Sequence, residues 1–208
     1  MTCHSVCSLP APKVNFMEAF FFSTFSVALA EIGDKTQLLA FLLISRFRKP
    51  WPIIWGILVA TLANHAIAGW LGAVAADWLQ GDWLNWLVGG SFVAVGLWIL
   101  IPDKLDDDTK NPYEKYGAFL ATVVLFFIAE IGDKTQVATI ILGAQFDALF
   151  WVVMGTTVGM LLANVPVVAI GHLAVDRLPL KWIRIGASSV FVLLGIWVLL
   201  SDQAIMSH

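Results

Sequence analysis

A charged run of eight residues, Ala30-Glu31-Ile32-Gly33-Asp34-Lys35-Thr36-Gln37, interrupts a long apolar stretch and returns unchanged as Ala129-Glu130-Ile131-Gly132-Asp133-Lys134-Thr135-Gln136, 99 residues later. The same interval pairs Gly56 with Gly155, Gly72 with Gly171, Asp77 with Asp176, Trp83 with Trp182, Gly96 with Gly195 and Trp98 with Trp197. An interval kept over so much of the chain marks a tandem duplication. Any fold must therefore accommodate two copies of one unit. Asn64 and Asn164 look like a further pair, but their interval is 100, so matching them needs a one-residue slip.

Composition says which solvent the unit meets. Of the 208 residues, 59% are hydrophobic and 13% charged, against about 45–50% and about 25% in soluble domains. That is too little charge to keep a soluble surface wet, and a net charge of −3 gives no basic footprint for nucleic acid. Six apolar runs follow, at Phe16–Ser45, Trp51–Ala76, Trp83–Ile101, Tyr116–Leu142, Ala148–Leu173 and Trp182–Leu200. Each has at least about 18 residues, enough to cross a hydrocarbon core as a helix. The expected fold is an all-α membrane protein of six transmembrane helices. It divides into a tail (1–15), a three-span unit (16–102), an acidic cytoplasmic linker (103–115), a second three-span unit (116–202) and a short tail (203–208).

Orientation follows from the cations. Arg46, Arg48, Lys49, Lys104, Lys110, Lys115, Arg177, Lys181 and Arg184 fall in the breaks after spans one, three and five, while the opposite face holds only Lys13. This positive-inside bias places both termini outside and the linker with Asp106, Asp107 and Asp108 in the cytoplasm. Three spans is an odd number, so the second unit enters the membrane from the other side. The two units then form inverted repeats about an axis in the membrane plane, an arrangement common among secondary transporters. Cys3, His4 and Cys7 crowd the amino-terminal tail, where a spacing signal from so short a stretch is weak and an unstructured tail is the simpler reading.

Charge at the bilayer centre is costly and marks function by default. Along an unbroken helix Glu31 and Asp34 share a face, as do Glu130 and Asp133, and Lys35 and Lys134 stand in the favourable order for pairing with Glu31 and Glu130. Gly33 and Gly132 permit either close helix approach or a local break that exposes carbonyls. A purely structural role as Glu–Lys pairs leaves Asp34 and Asp133 as surplus anions in hydrocarbon. With all groups ionised, four carboxylates against two lysines leave a charge of −2. One divalent cation or two protons would cancel it.

Antiparallel spans one and four would bring both motifs to one depth, so Glu31, Asp34, Glu130 and Asp133 are expected to form a single cation site. Thr36, Thr135, Gln37 and Gln136 would complete or orient it, Lys35 and Lys134 would hold it together when empty, and Asn64 and Asn164 would add oxygens. Such an oxygen-rich set suits Ca²⁺, Mg²⁺ or Mn²⁺, and neither motif contains Cys or His. His65, beside Asn64, is a minor candidate for the pathway, and His172 falls near a membrane face. The bound cation is cargo, and no cofactor is called for. Desolvation and mutual repulsion favour protonation of such carboxylates, so cation and protons would compete for one site.

The duplicated motif, Glu31, Gly33, Asp34, Lys35, Thr36 and Glu130, Gly132, Asp133, Lys134, Thr135, resembles that of the cation/proton exchanger family. That family includes the Golgi calcium/manganese homeostasis proteins of eukaryotes and the manganese exporters of bacteria. The resemblance covers Phe16 to Asp202. It implies that the acidic residues bind the transported cation and that proton exchange drives transport. The long amino-terminal extension of eukaryotic members is missing, which by resemblance favours a bacterial inner-membrane Mn²⁺ exporter over Golgi Ca²⁺ loading. A transporter of an organic cation or amino acid is disfavoured, because four carboxylates and two lysines leave little apolar wall. An intramembrane aspartyl protease also uses two Asp on separate spans. Here, however, Glu stands three before each Asp, Lys follows it, and two equivalent motifs do not make an inequivalent acid–base pair. A channel would differ from an exchanger in lacking proton dependence.

Overall fold

The computed structural model describes residues 15–78, 82–101, 117–171 and 180–206. Cys3, His4 and Cys7, the linker 103–115 and His172 lie outside the described residues. Eight helices account for nearly all the rest: α1 (Phe16–Glu31), α2 (Lys35–Phe47), α3 (Pro50–Trp78), α4 (Asp82–Ile99), α5 (Gly117–Glu130), α6 (Lys134–Gln145), α7 (Leu149–Ile170) and α8 (Leu180–Met206). Two of them, α3 over Pro50–Ala76 and α7, are long and apolar enough to cross a membrane as single helices. Trp86–Ile99, Gly117–Glu130 and Ile185–Leu200 are shorter apolar helices.

The apolar runs expected as spans one and four are each split in two. Both splits fall inside the repeated octapeptide, between Glu31 and Lys35 and between Glu130 and Lys134. At about 1.5 Å per residue, the 16 residues of α1 and the 14 of α5 fall short of a hydrocarbon core about 30 Å thick. Only with α2 and α6 added is the length sufficient.

The distribution of side chains is that of a chain with an apolar solvent. Trp51, Trp55, Trp70, Phe150, Trp182 and Trp197 are exposed, together with many Leu and Ile. Charged and polar groups lie inside: Glu31, Asp34, Glu130, Asp133, Lys134, Gln37, Asn64 and His65 are all buried. In water, exposed apolar surface on this scale would drive association. Two cores flank the polar interior. Phe92, Phe191, Leu142 and Val152 belong to one, and Leu43, Ile57, Phe126 and Met160 to the other.

Helix contacts follow the duplication. α1 packs on α7 as α5 packs on α3, and α4 packs on α8. Small residues set the close approaches. A Cβ on Gly155 would stand 2.5 Å from the Phe20 carbonyl, and one on Gly56 would stand 3.0 Å from the Phe119 carbonyl. Both glycines and both phenylalanines are 99 residues apart, so each unit offers its glycine to the other unit's first helix. Where α3 crosses α6, Gly72 faces the Ile140 carbonyl so closely that a Cβ would come within 2.0 Å of it.

Candidate cation site

The two helix breaks are built alike. α1 ends at Glu31, Gly33 takes a left-handed φ of 81°, and Asp34 sits in extended conformation as the residue capping α2. α5 ends at Glu130, Gly132 takes a φ of 74°, and Asp133 caps α6. A side chain in that region costs about 1–2 kcal/mol, which is why glycine stands there. The Asp34 N–H donates to the Glu31 carbonyl at 3.0 Å, and the Asp133 N–H to the Glu130 carbonyl at 3.1 Å, closing each turn.

Each break is braced by a glutamine one turn on. The Gln37 Oε1 accepts from the Gly33 N–H at 2.8 Å, and the Gln136 Oε1 accepts from the Gly132 N–H at 2.7 Å. Their amides reach across to the other unit: Gln37 Nε2 donates to the Ala163 carbonyl at 2.9 Å and Gln136 Nε2 to Asn64 Oδ1 at 3.2 Å. The glutamines therefore hold the backbone open, and their side-chain oxygens are already engaged. Asn64 and Ala163 are 99 residues apart, so the contacts match these positions without a slip. The slip that would align Asn64 with Asn164 is corrected accordingly: the counterpart of Asn164 is His65. Asn64 also donates to the Phe127 carbonyl at 3.0 Å, whereas Asn164 donates to the Met160 carbonyl at 3.1 Å and leaves Oδ1 without a hydrogen bond.

Of the four carboxylates expected in one site, three form a cluster and Glu130, also buried, is not among them. Glu31, Asp34 and Asp133 each offer an oxygen within 4.8 Å of the others, and all three are buried. Thr36 donates to Glu31 Oε2, and Thr135 donates to Glu130 Oε2 at 3.3 Å, so each threonine orients its own glutamate. Glu31 Oε1, Glu130 Oε1 and Asp133 Oδ2 are buried with no hydrogen-bond partner. Carboxylate oxygens left this way are costly in a protein interior. An ion among them would remove the cost, and protons would do so as well.

The lysines do not pair as an unbroken helix would have them. Lys35 Nζ lies 3.2 Å from Asp133 Oδ1, and Lys134 Nζ lies 3.4 Å from Asp34 Oδ1. The expected pairs within one motif, Lys35 with Glu31 and Lys134 with Glu130, are replaced by pairs between motifs. The physical reason is the break: the turn at glycine rotates the lysine out of register with the glutamate four residues before it and turns it toward the other unit. The exchange is reciprocal but unequal in setting. The Lys35 side chain is 24% exposed and that of Lys134 4%. Lys134 also donates to the Ile101 carbonyl at 3.2 Å, just beyond the end of α4.

His65, the minor candidate for the pathway, stands against a carboxylate. The fully buried His65 of α3 places Nε2 3.6 Å from Glu130 Oε2. The signal that pointed to it was its place next to Asn64, and it was weakened by the search for oxygen donors alone.

The geometry has counterparts in known proteins. A family profile described as the divalent cation/proton antiporter GDT1 matches residues 19–107 and 118–205. A protein of Vibrio cholerae named "Putative manganese exporter" is 56% identical over 188 residues, covering 90% of this chain and 93% of that protein. GDT1-like protein 5 of Arabidopsis thaliana is 25% identical over 224 residues, covering 90% of this chain and 97% of its own. A GDT1-like protein of Synechocystis is 25% identical over 200 residues, covering 86% and 96%. No solved structure matches the chain.

Proposed function

The chain belongs to the GDT1 divalent cation/proton antiporter family, and from that premise we propose that it exports Mn²⁺ from the cytoplasm in exchange for protons, by alternating access to one site between the two helix breaks. The family is one of integral membrane transporters and not of enzymes, which closes the protease alternative. Mn²⁺ as cargo is suggested by the printed name of the Vibrio relative together with the oxygen-rich donor set. Ca²⁺ is the second cargo such a set admits.

The observation that carries the reading is the buried cluster of Glu31, Asp34 and Asp133, in which Glu31 Oε1 and Asp133 Oδ2 lack hydrogen bonds and one lysine reaches in from each motif. The ammonium groups of Lys35 and Lys134, paired with Asp133 and Asp34, supply positive charge of the kind the cargo would bring. An arriving divalent cation competes with them for Asp133 and Asp34, and both lysines swing aside. Protons arriving from the outer face neutralise the same carboxylates and release the metal. The helix ends help, since the carbonyl-rich termini of α1 and α5 point partial negative charge at the breaks.

Six spans arranged as inverted repeats are part of the same proposal. Support comes from reciprocal contacts, in which Lys35–Asp133 matches Lys134–Asp34 and Gly155–Phe20 matches Gly56–Phe119, and from the biased distribution of Lys and Arg. Both termini are then outside a bacterial inner membrane. The test is flux in proteoliposomes with an imposed pH gradient. Mn²⁺ movement should be coupled to opposite proton movement and should be lost in Asp34→Asn and in Asp133→Asn. Metal-driven proton flux that survives in both variants would overturn the shared site.

A further inference from the structure

The two halves of the site differ at two adjacent positions on the helices facing the breaks: Asn64 and His65 on α3 stand where Ala163 and Asn164 stand on α7. α3 presents His65, and α7 presents Asn164 at the repeat-equivalent place. His65 is fully buried, and neither ring nitrogen has a hydrogen-bond partner among the described residues. A buried imidazole without partners is as unfavourable as any other orphaned polar group. Its Nε2 stands 3.6 Å from Glu130 Oε2, beyond hydrogen-bond length. Two atoms bound to one ion at about 2.1–2.4 Å and at bond angles a little above 90° lie about 3.0–3.6 Å apart. Glu130 keeps its other oxygen, Oε1, without a partner. Asn64, the preceding residue, is tied to the Phe127 carbonyl and to Gln136, which anchors this part of α3 against the α5–α6 break.

We propose that His65 is a specificity-determining ligand, supplying one nitrogen to the cation while it is held by Glu130, and that this nitrogen makes the site prefer Mn²⁺ to Ca²⁺. The inference rests on the cation-site reading above and deepens it. Ca²⁺ is a hard ion that takes oxygen donors, whereas first-row transition ions accept imidazole. Four carboxylates attract any divalent cation by charge, so they discriminate little between these two. An imidazole in one half and an amide oxygen in the other convert a symmetric charge trap into a mixed nitrogen–oxygen site. The same chemistry predicts that Co²⁺ and Zn²⁺ compete with Mn²⁺, since they bind nitrogen more strongly.

The test measures Mn²⁺ and Ca²⁺ uptake in parallel, in proteoliposomes holding the full chain and driven by one pH gradient. His65→Asn, which copies the other half, should lower the Mn²⁺-to-Ca²⁺ ratio about tenfold, the scale on which changes around a metal site act. Pulsed EPR of bound Mn²⁺ should show nitrogen coupling in the wild type and lose it in His65→Asn. Asn164→His provides a second variant, expected to raise the ratio. An unchanged ratio, or the absence of nitrogen coupling in the wild type, overturns the role of His65 even if transport itself is normal. A fall in both fluxes with the ratio preserved also overturns it, since that is what lost packing alone would produce. Failure of the wild type to exchange either cation for protons would instead overturn the underlying cation-site reading.

Discussion

At the scale of single residues, the proposed site is a balance of buried charges, and each ion-pair partner is expected to matter most when no cation is bound. Lys134 is more deeply enclosed than Lys35, so Asp34 depends on its lysine more than Asp133 does. Removing one partner of a buried ion pair costs about 3–5 kcal/mol because the remaining charge is stranded. Lys134→Met should therefore lower the Tm of the metal-free protein by more than Lys35→Met, in thermal unfolding in detergent. Mn²⁺ at about 100 times its Kd should restore about 2.7 kcal/mol to either variant by mass action. In the proposed site, threonine would act one step removed from the ion. Thr36→Val takes away the hydroxyl that orients Glu31, and Mn²⁺ affinity read by titration calorimetry should fall about tenfold. The carboxylates were readable in the sequence because charge in an apolar run is conspicuous. His65 was readable only weakly, from its place beside Asn64, because a lone histidine in a helix carries no spacing signal of its own.

At the scale of elements, the break is the feature that makes a site from a helix. An intact helix through residues 30–37 would spend its backbone groups on itself and hold Lys35 beside Glu31. The left-handed turn at Gly33 instead ends α1 and starts α2 within the motif, so that two helix termini meet there, the arrangement seen where broken helices bind ions. Gly132→Ala should cost about 1–2 kcal/mol through its φ of 74°, measured as a lower Tm together with faster hydrogen exchange around the break. Gln136→Leu leaves the Gly132 N–H without its brace and also gives up the contact with Asn64. A loss of about 1–3 kcal/mol is expected in the same measurement. The sequence offered both readings of the glycines, close packing or a break. It could not separate them, because glycine serves either and the sign of φ is set by the surrounding fold.

At the scale of the whole molecule, the halves hold each other. Lys35 reaches Asp133 and Lys134 reaches Asp34; Gly155 meets Phe20 and Gly56 meets Phe119. The buried carboxylate cluster draws Glu31 and Asp34 from one unit and Asp133 from the other. Exchanging the partners of one pair, with Lys35→Asp and Asp133→Lys together, should recover part of the thermal stability that either single change loses, as measured by Tm in detergent. Topology has its own test. In a background with Cys3→Ser and Cys7→Ser, a cysteine replacing Lys104 should react with an impermeant reagent only from the cytoplasmic side, and one replacing Ser207 only from outside. Duplication, an apolar surround and the identity of the buried charges were all present in the linear order of residues. They depend on composition and local spacing, which a chain carries unfolded. The choice of partners was not, since positions one and four apart read the same in a continuous helix as in a broken one. Which lysine neutralises which aspartate, and that an imidazole stands beside Glu130, depend on backbone turns and on packing between residues far apart in sequence. Distances of a few ångströms exist only once the two units have closed on each other.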